Sequence, residues 1–247
     1  MRVVVPVHLY SRWKECTCAM RTVEDLPIMP LNSVLFPGAP VTLYIHEERY
    51  RKMLDRAIEG EGHFGVVLLR EGNEVGGPCV PHEIGTIVRI SEVTNLPDGS
   101  SMVLAEGGDR FRITEIRSAM PLLRADVELL DERAGVGPEG LHAVERARQE
   151  LETLVELVLR TMGADGPPPE LPDDPVHLSY TIAANLQISL GEQQQLLEAE
   201  SAAARLRATT QMMQTEITHY RVMAAAREKL DSLGITDGGE ELPFSRS

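Results

Sequence analysis

The sequence predicts an α+β protein in two parts: a small closed or half-open barrel of strands with one inserted helix, then a set of helices ending in a long one. Three observations carry that expectation. Short β-rich runs bounded by turn residues fill the chain from residue 26 to about 131, and helix-period apolar patterning takes over beyond Gly135-Val136-Gly137-Pro138. At 247 residues the chain is long enough for two modest cores, each able to bury its own apolar side chains. The expected organisation is a flexible extension over 1–25, a barrel over 26–133, a helical part over 139–233 and a flexible tail over 234–247.

Strong patterning starts at Leu26-Pro27-Ile28-Met29-Pro30-Leu31, and nothing periodic ties down the residues before it, where Met20 stands as an alternative start. Residues 47–59 place Tyr50, Met53, Leu54, Ala57 and Ile58 at three- and four-residue spacing, one apolar face of a helix. Residues 64–69 are a compact apolar run, and 84–93 are long and β-branched. The turn Leu96-Pro97-Asp98-Gly99 joins that run to 101–105 as a hairpin, proline fixing one dihedral and glycine accepting a positive one. Two further strands are read at 110–116 and 122–130, from alternation of apolar and polar residues. Phe36, Phe64 and Phe111, in a chain with four phenylalanines, are expected in the barrel core.

In the second half, Leu141, Val144, Leu151, Leu154, Val155, Val158 and Met162 line one helix face, which ends at Gly163 before Pro167-Pro168-Pro169. Asp173-Asp174-Pro175 opens a second helix, proline being tolerated in a first turn, and its body over 176–190 is expected to stop at Gly191. The last helix, 192–233, carries a heptad-like seam of Leu196, Ala199, Ala203, Leu206, Thr210, Met213, Ile217, Tyr220 and Ala224. Its alanines and threonine make a weak zipper, so it is expected to pack on its own bundle, leaving the chain a monomer or weak dimer. Ser201 is placed to cap a restart after a kink near Glu200.

Composition narrows function more by exclusion. A net charge of -14 repels phosphate backbones, so no nucleic acid is expected as partner. Three cysteines cannot frame a disulfide scaffold and fit reduced thiols in a cytoplasm; no membrane-length apolar run or signal peptide is read. Cys16 and Cys18 lack the further ligands that a structural metal requires, and His46-Glu47-Glu48-Arg49-Tyr50 has tyrosine where a zinc helix needs its second histidine. The remaining histidines share no ligand spacing, so neither metal nor cofactor is expected. No Gly-Lys dipeptide is available for a phosphate loop, and no Gly-x-Ser-x-Gly for a nucleophile elbow. Of the lysines, only Lys14, Lys52 and Lys229 exist, none beside a candidate serine. Arg110, Arg112, Arg117 and Arg124 alternate on strands as a basic strip with only Phe111 interleaved, a thin basis for nucleic-acid stacking.

Several motifs occur in one order that resembles the N-terminal, substrate-binding region of Lon proteases. Leu26 to Gly38, reading Leu-Pro-Ile-Met-Pro-Leu-Asn-Ser-Val-Leu-Phe-Pro-Gly, is similar to the opening of that domain; Glu47-Glu48-Arg49-Tyr50 resembles its helix start. Phe64-Gly65-Val66-Val67, Ile84-Gly85-Thr86-Ile87, Pro97-Asp98-Gly99 and Gly107-Gly108-Asp109-Arg110-Phe111-Arg112-Ile113 follow in the family's order. Asp174-Pro175, Leu178-Ser179, Leu186-Gln187-Ile188-Ser189, Glu192 to Glu198 and Arg205-Leu206 resemble its helical subdomain, so the likeness runs over roughly 26–230. His46 and Glu48 depart from the family's usual phenylalanine and proline. The resemblance implies a PUA-like β barrel followed by a helical bundle, and a stand-alone, non-catalytic module, peptidase-related in name only, that binds unfolded or partly folded proteins. An adaptor role in protein quality control, beside a separate protease, goes with that reading; the alternative is a small-molecule or RNA-binding PUA-like protein. Tyr44, Tyr50 and Met53 are the candidate polypeptide-binding residues, as exposed apolar surface between barrel and bundle; no catalytic residue is expected.

Overall fold

Residues 2–4, 22–59, 63–73, 79–135, 137–162 and 170–232 are described by the computed structural model of the chain. The strands are β1 (Arg2–Val4), β2 (Thr22–Leu31), β3 (Pro40–Ile45), β4 (Gly65–Gly72), β5 (Cys79–Asn95), β6 (Ser101–Ser118) and β7 (Leu123–Leu129). Helix α1 (Glu48–Ile58) lies between β3 and β4, and α2 (Pro138–Met162), α3 (Pro175–Asn185), α4 (Leu190–Glu198) and α5 (Ala202–Ser232) follow the strands. The class is α+β, with a mixed sheet.

Strand order is β1-β5-β4-β2-β7-β6-β3, and β5 also pairs with β6. The pairings of β5, β4, β2, β7 and β6 therefore return to their start as a ring, with β1 and β3 outside it. Only β2 and β4 run parallel. Long strands can serve two neighbours at once because they bend: β6 pairs with β3 along residues 101–106 and with β7 along 111–118. The two strands expected at 101–105 and 110–116 are thus one continuous strand. β-Bulges interrupt the β2–β7, β4–β5, β5–β6 and β6–β7 ladders, which is where a closing sheet must turn. At the first of them Asp25 takes a φ of 56°, a left-handed conformation that aspartate tolerates, and Arg124 grips its carboxylate at 2.7 and 2.8 Å.

Strand pairing occurs upstream of Leu26. Thr22 and Val23 pair with β7, and Arg2–Val4 pairs with Glu92 to Thr94 of β5, so strand structure lies within the stretch expected as a flexible extension. Residues 5–21, with Lys14, Cys16 and Cys18, and the expected tail 234–247 lie outside the described residues.

Two apolar clusters fill the strand half. Phe64, Ile45, Leu54, Val88 and Val103 form one, and Phe111, Leu26, Ile28, Ala125 and Val127 the other. Phe111 is packed so tightly that a Cβ on Gly85 would stand 2.7 Å from its Cζ and 2.3 Å from the Val66 carbonyl oxygen. Only glycine fits there. The hairpin turn is as read, with Gly99 at φ 81° and Asp98 accepting the Ser100 N–H at 3.0 Å. Phe36 is buried as expected, yet not inside the ring: it packs with Tyr180, Leu196 and Leu197 where strands meet helices.

Helices α2, α3 and α5 share a third cluster, in which Ala147, Leu154, Leu178, Ile182, Leu206, Met213 and Ile217 meet. α3 begins as predicted, with Pro175 in its first turn and Asp174 accepting the His177 N–H at 2.9 Å. Its expected stop at Gly191 is corrected: α3 ends at Asn185, an extended stretch follows, and Gly191 lies in the first turn of α4. Ser189 and Glu192 form a reciprocal capping box that starts the new helix before the glycine is reached. The restart near Glu200 is present, Ser201 Oγ accepting the Ala204 N–H at 3.2 Å. No helix among the described residues is long and apolar enough to cross a membrane.

Candidate functional site

Of the three residues proposed from sequence, the structure brings one to the surface. Tyr50 and Met53 sit on the inward face of α1, 6% and 4% exposed, packed with Leu43, Ile45 and Phe64. Their three-residue spacing belongs to the apolar face that holds α1 on the strands. Tyr44 is 55% exposed. It does not lie between strands and helices; it projects from the outer side of β3.

Around Tyr44 the outer sheet surface exposes a small apolar patch among polar neighbours. Tyr44 pairs across the ladder with Met102, and Thr42 with Leu104; Met102 and Leu104 are both exposed. β5 continues the surface, Thr94 opposite Met102 and Glu92 opposite Leu104. Exposure of large apolar side chains in adjoining positions marks an interaction surface more than scattered single ones do. The Tyr44 ring is oriented by its neighbours. Its hydroxyl donates to Asp98 Oδ2 at 3.0 Å, and its ring stacks on His46 with centroids 5.7 Å apart. The Ser100 hydroxyl and N–H, with the Tyr44 hydroxyl, hold the Asp98 carboxyl below its ordinary range, so the acceptor stays charged at neutral pH. β3 itself was missed in the sequence, although Val41-Thr42-Leu43-Tyr44-Ile45 shows the alternation and residue types of a strand.

Concavities lie elsewhere on the described residues, lined by none of Tyr44, Met102 and Leu104. A groove of about 750 Å³ runs between α1 and the β2–β7 side, lined by Met53, Ala57, Arg49, Arg56, Leu122 and Arg124 among others. Met53 reaches its wall despite being nearly buried. A smaller cleft of about 180 Å³ lies where strands meet helices, against Val34, Phe36, Val41, Ala184 and Gln193. None of Tyr44, Tyr50 and Met53 lines that cleft.

What fixes strands to helices is a buried polar cluster. Arg110 of β6 donates to Glu132 at 2.7 Å and to the Leu197 and Ala199 carbonyls at 2.6 and 2.9 Å. Arg205 of α5, wholly buried, donates to the Leu196 carbonyl, Ser179 Oγ and Tyr180 Oη at 2.9, 2.7 and 2.8 Å, and its guanidinium lies 3.7 Å from the Tyr180 ring centre. Tyr180 in turn donates to Glu132 at 2.7 Å. Burial lowers the Arg205 pKa to about 10 and raises that of Tyr180, so the tyrosine remains a donor. Arg110 and Arg205 bond the C-terminal carbonyls of α4, and the cluster links the two halves.

The remaining sequence candidates separate cleanly. Most of the arginine strip is engaged: Arg110 is buried in the cluster, Arg117 pairs with Asp126 and Arg124 pairs with Asp25, while Arg112 is exposed. Burial raises the Cys79 thiol pKa, away from thiolate character, and lowers that of His63. Lys52 pairs with Glu48 on the exposed side of α1. Among the described residues no three His, Cys, Asp or Glu side chains are grouped to hold a metal ion.

Comparison with known proteins places this chain in a family. The family model of the ATP-dependent protease La (Lon) substrate-binding domain matches residues 25–215, and the chain belongs to that family. It is 29% identical over 224 residues to the Lon protease of Desulfovibrio desulfuricans, covering 86% of this chain and 25% of that one. The Lon protease of Anaeromyxobacter dehalogenans is 27% identical over 210 residues, covering 84% and 24%. The chain thus spans about a quarter of the length of the curated relatives it matches. Among solved structures, a Lon N-terminal domain protein from Xanthomonas campestris superposes with a TM-score of 0.55 at 25% identity, covering 75% of this chain and 96% of that one. The N-terminal domain of the Mycobacterium avium complex Lon protease gives 0.56 at 18% identity, covering 77% and 98%, a likeness of fold.

Proposed function

We propose that this chain is a non-catalytic polypeptide-binding module that engages unfolded or partly folded proteins through the outer face around Tyr44, Met102 and Leu104. It works in the cytoplasm, as a monomer or weak dimer, in protein quality control and as an adaptor for a separate protease. Family membership supports substrate binding, and the observation that carries the site is an exposed apolar surface set on a rigid scaffold. The ring of strand pairings supports reading the first half as a PUA-like barrel, and the α2–α3–α5 cluster supports reading the second as a helical bundle. An RNA-binding role is not favoured, because Arg110, Arg117 and Arg124 are engaged by carboxylates, which leaves exposed Arg112 as the one member of that strip outside those pairs, and the net charge is -14. For a small-molecule role no feature of the site argues.

The test is a fluorescence-anisotropy titration of labelled, unfolded casein, run beside a gel cleavage assay and a phosphate-release assay with ATP. Saturable binding tighter than about 100 μM, a free energy of roughly 5 kcal/mol, is expected without cleavage or ATP hydrolysis. A Met102→Ser/Leu104→Ser double variant should lose most of that binding. Cleavage that survives further purification overturns the non-catalytic reading, and absence of binding overturns the polypeptide-binding one.

A further inference from the structure

Strand β3 is a thinly protected edge: of the usual devices it has only its six-residue length and the leading Pro40. Its only ladder is with β6, and no other described element runs alongside it. Natural edge strands are blunted by charge, by bulges or by a covering element, because an unpaired row of N–H and C=O groups is a template for another chain. Pro-Val-Thr-Leu-Tyr-Ile carries no charged residue in a chain that is 25% charged, and the β3–β6 ladder runs six residues without a register shift. The bulges of this sheet lie instead in the ladders of its ring.

The direction of each backbone group follows from the ladder. The Ala39 carbonyl accepts the Gly107 N–H at 2.9 Å, and Val41 pairs with Ala105. In an antiparallel pair the groups alternate, so residues 41, 43 and 45 turn theirs to β6 while Pro40, Thr42 and Tyr44 turn theirs to the open side. Pro40 therefore stands where a missing N–H costs the β6 ladder nothing. Thr42 and Tyr44 offer two N–H and two C=O groups at strand spacing, beside a tyrosine ring and an apolar surface. Water satisfies such a row in the free protein, and an extended peptide backbone matches its spacing and direction.

We propose that β3 is a strand-addition site: an extended, uncharged stretch of client polypeptide adds along it, bonding the Thr42 and Tyr44 backbone while an apolar side chain of the client packs on the Tyr44 ring. This rests on the polypeptide-binding reading above and names its mode and its client class, segments of β-forming apolar and hydroxyl residues without charge. Affinity from the main chain makes recognition tolerant of sequence, and the exposed Tyr44 ring adds the preference for apolar residues.

The experiment uses the full chain and a fluorescein-labelled peptide of alternating valine and threonine, together with the same peptide N-methylated at alternate residues. Thr42→Pro removes an outward N–H without touching the β6 ladder, and Thr42→Lys blunts the edge with a charge should the proline variant fail to fold. Strand addition predicts that N-methylation of one of the two alternate sets, and either Thr42 variant, weakens binding about tenfold or more. Casein and peptide binding that ignores N-methylation and both Thr42 variants, yet falls in Met102→Ser/Leu104→Ser, overturns strand addition and leaves the polypeptide-binding reading standing. Failure of casein and peptide alike to bind the unaltered chain overturns both. A dimer in sedimentation velocity that dissolves on Thr42→Lys, with no peptide binding, assigns the edge to a second copy and overturns the proposal as well.

Discussion

The two halves of the molecule hold their cores by different chemistry. The strand half is held by shape, with Phe64 and Phe111 fully buried and glycine placed against the Phe111 ring. In the helical half, the inner side of α5 is built from Ala202, Ala203, Leu206, Thr209, Thr210, Met213 and Ile217, and its largest buried side chain is Arg205. Small side chains contribute little transfer free energy, so this half depends more on the polar cluster that ties it to β6 and Glu132. The strand half carries the exposed face, and the helical half braces the ring from the opposite end of the same network.

That contrast can be broken at its two centres. Removing one partner from a buried charged cluster costs about 3 to 5 kcal/mol, and Arg205→Met should do so while loosening α3 and α4 first. Amide exchange should show those helices losing protection before β5 and β6. Phe111→Ala should cost a similar roughly 3 to 5 kcal/mol, but the loss should appear as a lower midpoint for the whole chain in urea, since every ring strand packs around that side chain. An intermediate effect is expected from Ser189→Ala, which removes the α4 capping box at a cost of about 0.5 to 2 kcal/mol, read in a thermal melt. The smallest is electrostatic. Arg117 holds the Asp126 carboxyl below its ordinary value, so the pair's contribution is present above the ordinary carboxylate range and is lost as pH falls through the lowered folded value. Asp126→Asn should therefore flatten the acid limb of the stability profile, with a slight loss of stability near neutrality and none below the lowered folded value.

Much of the strand half was legible because its determinants are local. Pro97-Asp98-Gly99 specifies its turn by dihedral preference alone, and the ordered family motifs from Leu26 to Ile113 gave the class without any contact being known. The α3 stop was misread because Gly191 was taken as a terminator when Ser189 and Glu192, three residues apart, already signalled a start. Arg110 was read as part of a surface strip; nothing local to it tells that Glu132, Tyr180 and Arg205 close around it, the last of them 95 positions away in sequence. The binding face was the least legible part. Tyr50 and Met53 were offered as exposed, although their helix periodicity pointed inward, and the openness of β3 depends on which strands become its neighbours, a nonlocal property.

The central claim, that the outer edge and face of the strand half take up unfolded polypeptide, is tested most directly by hydrogen–deuterium exchange of the full chain with and without saturating unfolded casein. The account predicts slowed exchange concentrated at the Thr42 and Tyr44 amides, with the amides of residues 41, 43 and 45 little changed because β6 already protects them. Protection confined to α1, to the groove beside Arg124 or to the helical half would contradict it.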